Sequence, residues 1–297
     1  MFNAIALSIP LATATFALQE VVFHIVGFAF EYCDSHSLFL RSKVRTSDRR
    51  KYVELLPRVL FNQFFLLLPA MLFMERTGLA FSGPSRISPL RFLIGLVGMA
   101  IGHDVVQYLF HRHLLHRPNL KLMKWLRHSL HHSTSATKAV SACYMSPPDF
   151  LLEIICPYLI PLAVFGNHAD PRFHLLIAGV GAIGGLYEHS GYDFSAPLKP
   201  SRSVSRGGTP EKGIKEHVEE DEDGLKGITA FAVDLLASFL DNRAHSEHHT
   251  RANVSFSDGF GSPGICDTLF GTRWDLTPRQ SRLVEAEWRD MRKQDQQ

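Results

Sequence analysis

"PLRFLIGLVGMAIGHDVVQYLFHRHLLH", Pro89 to His116, decides how this chain folds. An apolar run long enough to cross a hydrocarbon core of roughly 30 Å ends abruptly in a cluster of histidines. Comparable runs lie at Asn3–Phe30 and Tyr52–Met74. Two later ones, Phe150–Phe165 and Phe173–Tyr187, are shorter and interrupted by Pro157 and Pro161 or by Gly179, Gly181, Gly184 and Gly185. They predict a tight helical hairpin, or a segment that dips in and returns. Only a helix satisfies its own backbone in lipid without closing a barrel, so the expected fold class is all-α, an integral membrane helical bundle.

The first run has neither a basic leading segment nor a small-residue cleavage site, and reads as a retained transmembrane segment. Gln19, Glu20 and His24 inside it, and Glu54 and Arg58 at the start of the second run, are costly in lipid and should face protein or the interface. The first connection carries Arg41, Lys43, Arg45, Arg49, Arg50 and Lys51, whereas the next carries only Arg76 and Arg86. The positive-inside rule therefore puts the first connection in the cytosol, and the histidines at the end of the third run return to that face. The expected organisation is an N-terminal segment with its basic loop (1–51), a transmembrane and catalytic core (52–198), a disordered polar insertion (199–227), an interfacial helix with the last histidines (228–275) and a tail (276–297). The interfacial helix is read from the stripe Ile228, Phe231, Ala232, Leu235, Leu236, Phe239 and Leu240.

The histidines repeat a pattern. "HSLHH" (His128–His132) returns as "HSEHH" (His245–His249). Residues three and four apart share a helix face, so each HxxHH is expected to aim its imidazoles at one point, as a metal site requires. Cys33, Cys143, Cys156 and Cys266 form no CxxC, which excludes a zinc ribbon or a disulfide framework and leaves histidine as the ligand type. A net charge of +2 without a basic–aromatic pattern gives no footprint of nucleic-acid binding. In "HRHLLH", His111 and His116 could share a centre only across a helix end or bend, His113 and His116 have better helical spacing, and spacing alone does not choose. His189 is isolated and by itself reads as a packing or capping residue; His24, His36, His168 and His174 read as structural or surface, and His217 as a residue of the insertion. Asp104 and Tyr108 share a helical stripe with His111, where a carboxylate could orient a metal-bound ring or simply line the bundle interior.

Taken together, "HRHLLH", "HSLHH", "HSGYDF" (His189–Phe194), "HSEHH" and "DTLFGT" resemble the sterol desaturase and fatty acid hydroxylase superfamily over roughly Leu55 to Thr272. "HSGYDF" and "SACYMSPPDF" (Ser141–Phe150) are most similar to the C-4 methylsterol oxidases and related sterol hydroxylases. The resemblance implies two iron ions held by histidines, with zinc able to take their place on isolation. It further implies O2 as oxidant, cytochrome b5 or its reductase as electron donor, and a multi-pass endoplasmic-reticulum enzyme whose metal site faces the cytosol. The family's spacing maps the first box to His111 and His116, leaves His113 as an extra and adds His189 as a ligand. The implied metal set is thus His111, His116, His128, His131, His132, His189, His245, His248 and His249, with Asp104, Tyr108 and Asn253 as supporting candidates. The sequence departs from the family's pattern in three places: Asn253 follows His249 by four residues rather than six, Cys266 stands where Trp is common, and 199–227 replaces a short connection. Neutral nitrogen ligands suit iron that changes oxidation state, where thiolates would themselves oxidise. The expected activity is monooxygenation of a sterol or similar polycyclic lipid. A fatty acid or sphingolipid hydroxylase or desaturase is the alternative with the same site, and a metal transporter or an inactive membrane scaffold the alternative of another class.

Overall fold

The computed structural model describes residues 9–46, 50–116, 120–198, 223–251, 253–257 and 262–277. The insertion that sequence places at 199–227, with His217, therefore lies almost wholly outside the described residues, as does the tail beyond 277. The described chain is helical, and its only extended pairing is an isolated bridge between Lys43 and Tyr192.

Among the described residues, four helices are long and apolar enough to cross a membrane: α1 (Leu11–Ser35), α2 (Tyr52–Arg76), α3 (Pro89–Leu115) and a later one, Pro147–Phe165. The sequence explains where they start. Glu75 accepts from the amides of Leu11 (2.8 Å) and Ala12 (3.3 Å), placing an anion at the positive end of α1. Ser88 caps α3 and Ser146 caps Pro147–Phe165, each followed by a proline whose missing N–H costs nothing in the first turn.

Between α3 and Pro147–Phe165 lie two short helices, α4 (Leu120–Leu126) and α5 (His128–His132), separated by Arg127 in the left-handed region (φ 52°). Pro147–Phe165 is α6, and α7 follows at Pro171–Glu188 behind its own cap, Asp170. α8 (Asp223–Phe239), α9 (Arg243–Arg251) and α10 (Ile265–Leu269) are the last elements among the described residues. Three π-helical turns interrupt the long helices, at Gln63–Leu67, His111–Leu115 and Leu151–Ile155. Two of them, Gln63–Leu67 and Leu151–Ile155, lie just before a proline of the same helix, Pro69 or Pro157. A proline donates nothing to the preceding turn, and a widened turn absorbs the loss.

This corrects the reading of α6 as a short broken run. Its prolines are accommodated, and it is a full-length candidate span. Nor do α6 and α7 form a tight hairpin: α6 packs on α3, and α7 packs on α1. Small residues decide these partners. Gly98 and Gly102 of α3 lie under Phe165 and Pro161 of α6, while Gly27 of α1 receives Leu186 of α7. The core between these helices includes Phe16, Phe23, Leu55, Met71, Phe150 and Leu162. Around it Val21, Ile25, Phe65, Leu93 and Val164 are each more than half exposed, an apolar girdle of the kind a bilayer covers. On α8, Phe231, Leu236 and Phe239 of the expected stripe also face outward.

The basic connection docks at the end of the bundle that carries the histidines. The Lys43 ammonium donates to Asp34 (2.6 Å), the Ser190 carbonyl (2.7 Å) and the Thr137 carbonyl (3.2 Å), and Arg45 donates to Thr250 of α9 (2.5 Å).

A methyl group at Gly102 would stand 2.7 Å from Pro161, a ring that cannot swing away, whereas one at Gly179 meets nothing within 4 Å. Gly102→Ala is expected to cost about 1–3 kcal/mol by overpacking. Gly179→Ala is expected to be neutral or slightly stabilising through helix propensity. Thermal unfolding of the detergent-solubilised variants checks both, and equal midpoints would contradict the α3–α6 contact.

Candidate metal centre

All nine histidines of the implied set are brought together, in two groups. His111, His116, His128, His132 and His248 form one, and His131, His189, His245 and His249 the other, with donor atoms in each group within 4.8 Å of one another. In the first group the Nε2 atom of His128 lies 2.9 Å from that of His132, 3.0 Å from that of His116 and 3.2 Å from that of His111. In the second, His189 Nε2 lies 3.0 Å from His131 Nε2 and 3.1 Å from His245 Nε2.

The expectation that each HxxHH aims at a single point is corrected. Each box divides its histidines between the two groups. His128 and His132 of α5 serve the first and His131 the second, whereas His245 and His249 of α9 serve the second and His248 the first. Adjacent residues on an α-helix point about 100° apart, so the two neighbouring histidines of a box diverge while the pair four apart converges.

The choice within "HRHLLH" is made by backbone. His111–Leu115 is a π turn, closed by the bond from His116 N to the His111 carbonyl at 2.9 Å. That turn stacks residues five apart, which an α-helix would spread around its circumference. His113 is exposed, edge-on to Tyr108. His189 enters from the end of α7, its Nδ1 held by the Gly185 carbonyl at 2.9 Å. The next glycine, Gly191, is required: φ is +73°, and a Cβ there would stand 2.7 Å from the Arg45 carbonyl.

Three of the rings are aimed by what their other nitrogen touches. His128 Nδ1–H donates to Asp149 at 2.9 Å, His248 Nδ1–H to the Val254 carbonyl at 2.7 Å and His111 Nδ1–H to the Phe256 carbonyl at 3.0 Å. Asp267 of "DTLFGT" fixes that loop by accepting from the amides of Phe256 (3.0 Å) and Ser257 (2.8 Å). Asn242 does the same for the other group, donating to the carbonyls of Tyr187 (3.0 Å), Glu188 (3.2 Å) and Tyr192 (2.9 Å).

The supporting candidates lie elsewhere. Asp104 accepts from Ser262 (2.8 Å) and from the amides of Ile265 and Cys266 (2.9 Å each), tying α10 to α3 rather than orienting an imidazole. Tyr108 stacks on Phe270 and accepts from Arg112. Asn253 directly precedes Val254, whose carbonyl holds His248.

Asp149 and Glu153 were missed by sequence reasoning. They are two acids four apart in an otherwise apolar run, and a buried charge in such a run is itself a functional signal. His24, bonded to Tyr52, and the His168–His174 pair lie outside both groups.

Burial pushes most of these imidazoles toward the neutral form. His131 is lowered to about 3, and His189 and His248 to about 4. His116, His132, His245 and His249 are lowered well below the usual value, by burial first and then by neighbouring histidines. His128 is the exception: burial lowers it, but Asp149 and Glu153 outweigh that and raise it to about 10. Neutral imidazoles with their lone pairs converging are the donor set that divalent transition metals prefer. The residues present fit such a pair of ions.

Replacing Asp149 by Ala should lower metal affinity about 10–100-fold by freeing the His128 ring. Asp149→Asn, which still offers an acceptor oxygen, should lose less. His131→Ala and His248→Ala should each lower metal content without preventing membrane insertion. Chelator competition followed by elemental analysis measures all four, and full metal retention in Asp149→Ala would contradict the assigned role.

No curated protein and no solved structure matches the chain. A family model described as "Fatty acid hydroxylase" matches residues 96–272, which include all nine clustered histidines and both carboxylates. With more than half its length matched, the chain belongs to the fatty acid hydroxylase family, within the sterol desaturase and fatty acid hydroxylase superfamily.

Proposed function

We propose that this member is an O2-dependent di-iron monooxygenase of a sterol or similar polycyclic lipid, with oxidation of a C-4 methyl group the leading case. The observation that carries the reading is the pair of imidazole groups, five and four histidines, at one end of a bundle of membrane-length apolar helices. When bound, two iron ions supply the activation of O2 for attack on a C–H bond. The protein's own part is to hold the rings in place, exclude water and present the substrate, because such an oxidant attacks the nearest hydrogen.

Three features support a lipid reached from the bilayer. The chain belongs to a hydroxylase family, its helices carry an apolar girdle, and a groove of about 680 Å³ runs between α3 and α6. The groove is lined by Leu93, Val97, Ile101 and Val105 of α3, whose last turn carries His111, and by Ile160 and Val164 of α6. Its size and apolarity suit a lipid. The sterol assignment rests on the likeness of "HSGYDF" and "SACYMSPPDF". A fatty acid or sphingolipid substrate is the second reading, favoured by the description of the matched family.

The basic connection lies at the histidine end, which supports a cytosolic site within reach of cytochrome b5 or its reductase, in the endoplasmic reticulum. A transporter would keep its ligands near the bilayer midplane. Here they gather at helix ends and in short helices.

Lipid extracts from cells with and without the protein should differ by accumulation of a methylated sterol in its absence. Unchanged sterols with missing hydroxylated ceramides or fatty acids would move the protein to the second reading. An unchanged lipid profile in both would favour the inactive scaffold.

A further inference from the structure

Glu153 belongs to neither histidine group, yet it touches both. Its Oε1 atom lies 3.8 Å from Nε2 of His111, in the first group, and 3.6 Å from Nε2 of His131, in the second. Its Oε2 atom lies 3.2 Å from His128 Nδ1, but that N–H is directed at Asp149, and Oε2 accepts no well-directed hydrogen bond. The residue is only 5% exposed. It sits within the π turn Leu151–Ile155 of α6, and such turns recur at functional sites.

A carboxylate placed inside a membrane-length helix is costly unless a cation or several hydrogen bonds compensate it. Among the described residues, those that approach it are His111, His128 and His131, with the second acid Asp149 one turn away and no Lys or Arg. The one N–H among them that points this way, His128 Nδ1–H, is directed at Asp149, which leaves Oε1 facing the Nε2 atoms of His111 and His131. Two donors that each stand about 2 Å from one ion are separated from each other by roughly 3–4 Å, and both Nε2···Oε1 distances fall in that range. Oε1 therefore stands between one donor of each group, at the separation that a shared ion would set for each pair.

We propose that Glu153 is a shared carboxylate ligand that bridges the two metal ions. The proposal rests on the reading of the histidine groups as a two-ion site. It gives Asp149 and Glu153, four residues apart on one helix, separate tasks: Asp149 aims the His128 ring, and Glu153 joins the two centres. It also supplies negative charge to offset ions that the neutral imidazoles alone would leave uncompensated.

The test uses the full chain in detergent or nanodiscs, loaded anaerobically with ferrous iron and then oxidised. Elemental analysis gives the iron content, and Mössbauer and electron paramagnetic resonance spectroscopy report whether the ferric spins are coupled. Wild type is expected to hold two irons with coupled spins. Glu153→Gln, which keeps the shape and loses the charge, is expected to lose one iron or to retain two with markedly weakened coupling. Glu153→Asp, which keeps the charge but withdraws the carboxylate by one methylene, is expected to fall between them. Should Glu153→Gln fail to insert, Glu153→Asp decides, with coupling unchanged from wild type overturning the proposal. Two uncoupled irons in wild type, or coupling in Glu153→Gln equal to wild type, would also overturn the bridge while leaving the two-ion reading intact. A wild-type chain that binds no iron would overturn both.

Discussion

Imidazole nitrogens 2.9–3.2 Å apart, turned toward one another among buried side chains, are the constraint on which the rest of this structure depends. Lone pairs at that separation repel unless a proton or a cation lies between them. Protons are a poor answer here, because burial opposes charging most of the rings and each charged ring would oppose its neighbours. Cations satisfy both demands at once. Stability and metal binding are coupled in such a site, since the free energy of binding offsets the cost of assembling the donors.

Much of the surrounding architecture serves to hold that arrangement. A π turn brings His111 and His116 together, the left-handed Arg127 starts the short helix that carries the second box, and Asn242 pins the start of α9 against the end of α7. Carbonyls of a loop fixed by Asp267 aim His111 and His248. The two HxxHH boxes contribute reciprocally, two and one against one and two, so neither centre can form from one box alone. Both centres therefore require α5 and α9, more than a hundred residues apart in sequence, to meet.

The apolar runs and the histidine boxes were legible in the sequence because they obey local rules: length for a membrane span, and three-and-four spacing for a helix face. The caps at Ser88, Ser146 and Asp170 follow local rules too. What escaped were features decided by tertiary geometry. Nothing in the spacing of HxxHH says that its neighbours join different histidine groups, because that depends on where the second group lies. His111 and His113 could not be separated by α-helical spacing, since the choice is made by a π turn. α6 looked too short and too rich in proline to span, although its π turn and a start at Pro147 make it continuous. Asp104 shares a stripe with His111, but its carboxylate is used by the loop at Ser262–Cys266. Glu153 and Asp149 stood in view as charges in an apolar run, and only the fold shows what they face.

The central claim is that two ions occupy two separate histidine groups within one chain. The most direct measurement is an anomalous-scattering map of the purified, iron-loaded protein, recorded at the iron edge. Two peaks per chain are expected, one among His111, His116, His128, His132 and His248 and the other among His131, His189, His245 and His249. A single peak, or peaks away from these residues, would contradict it.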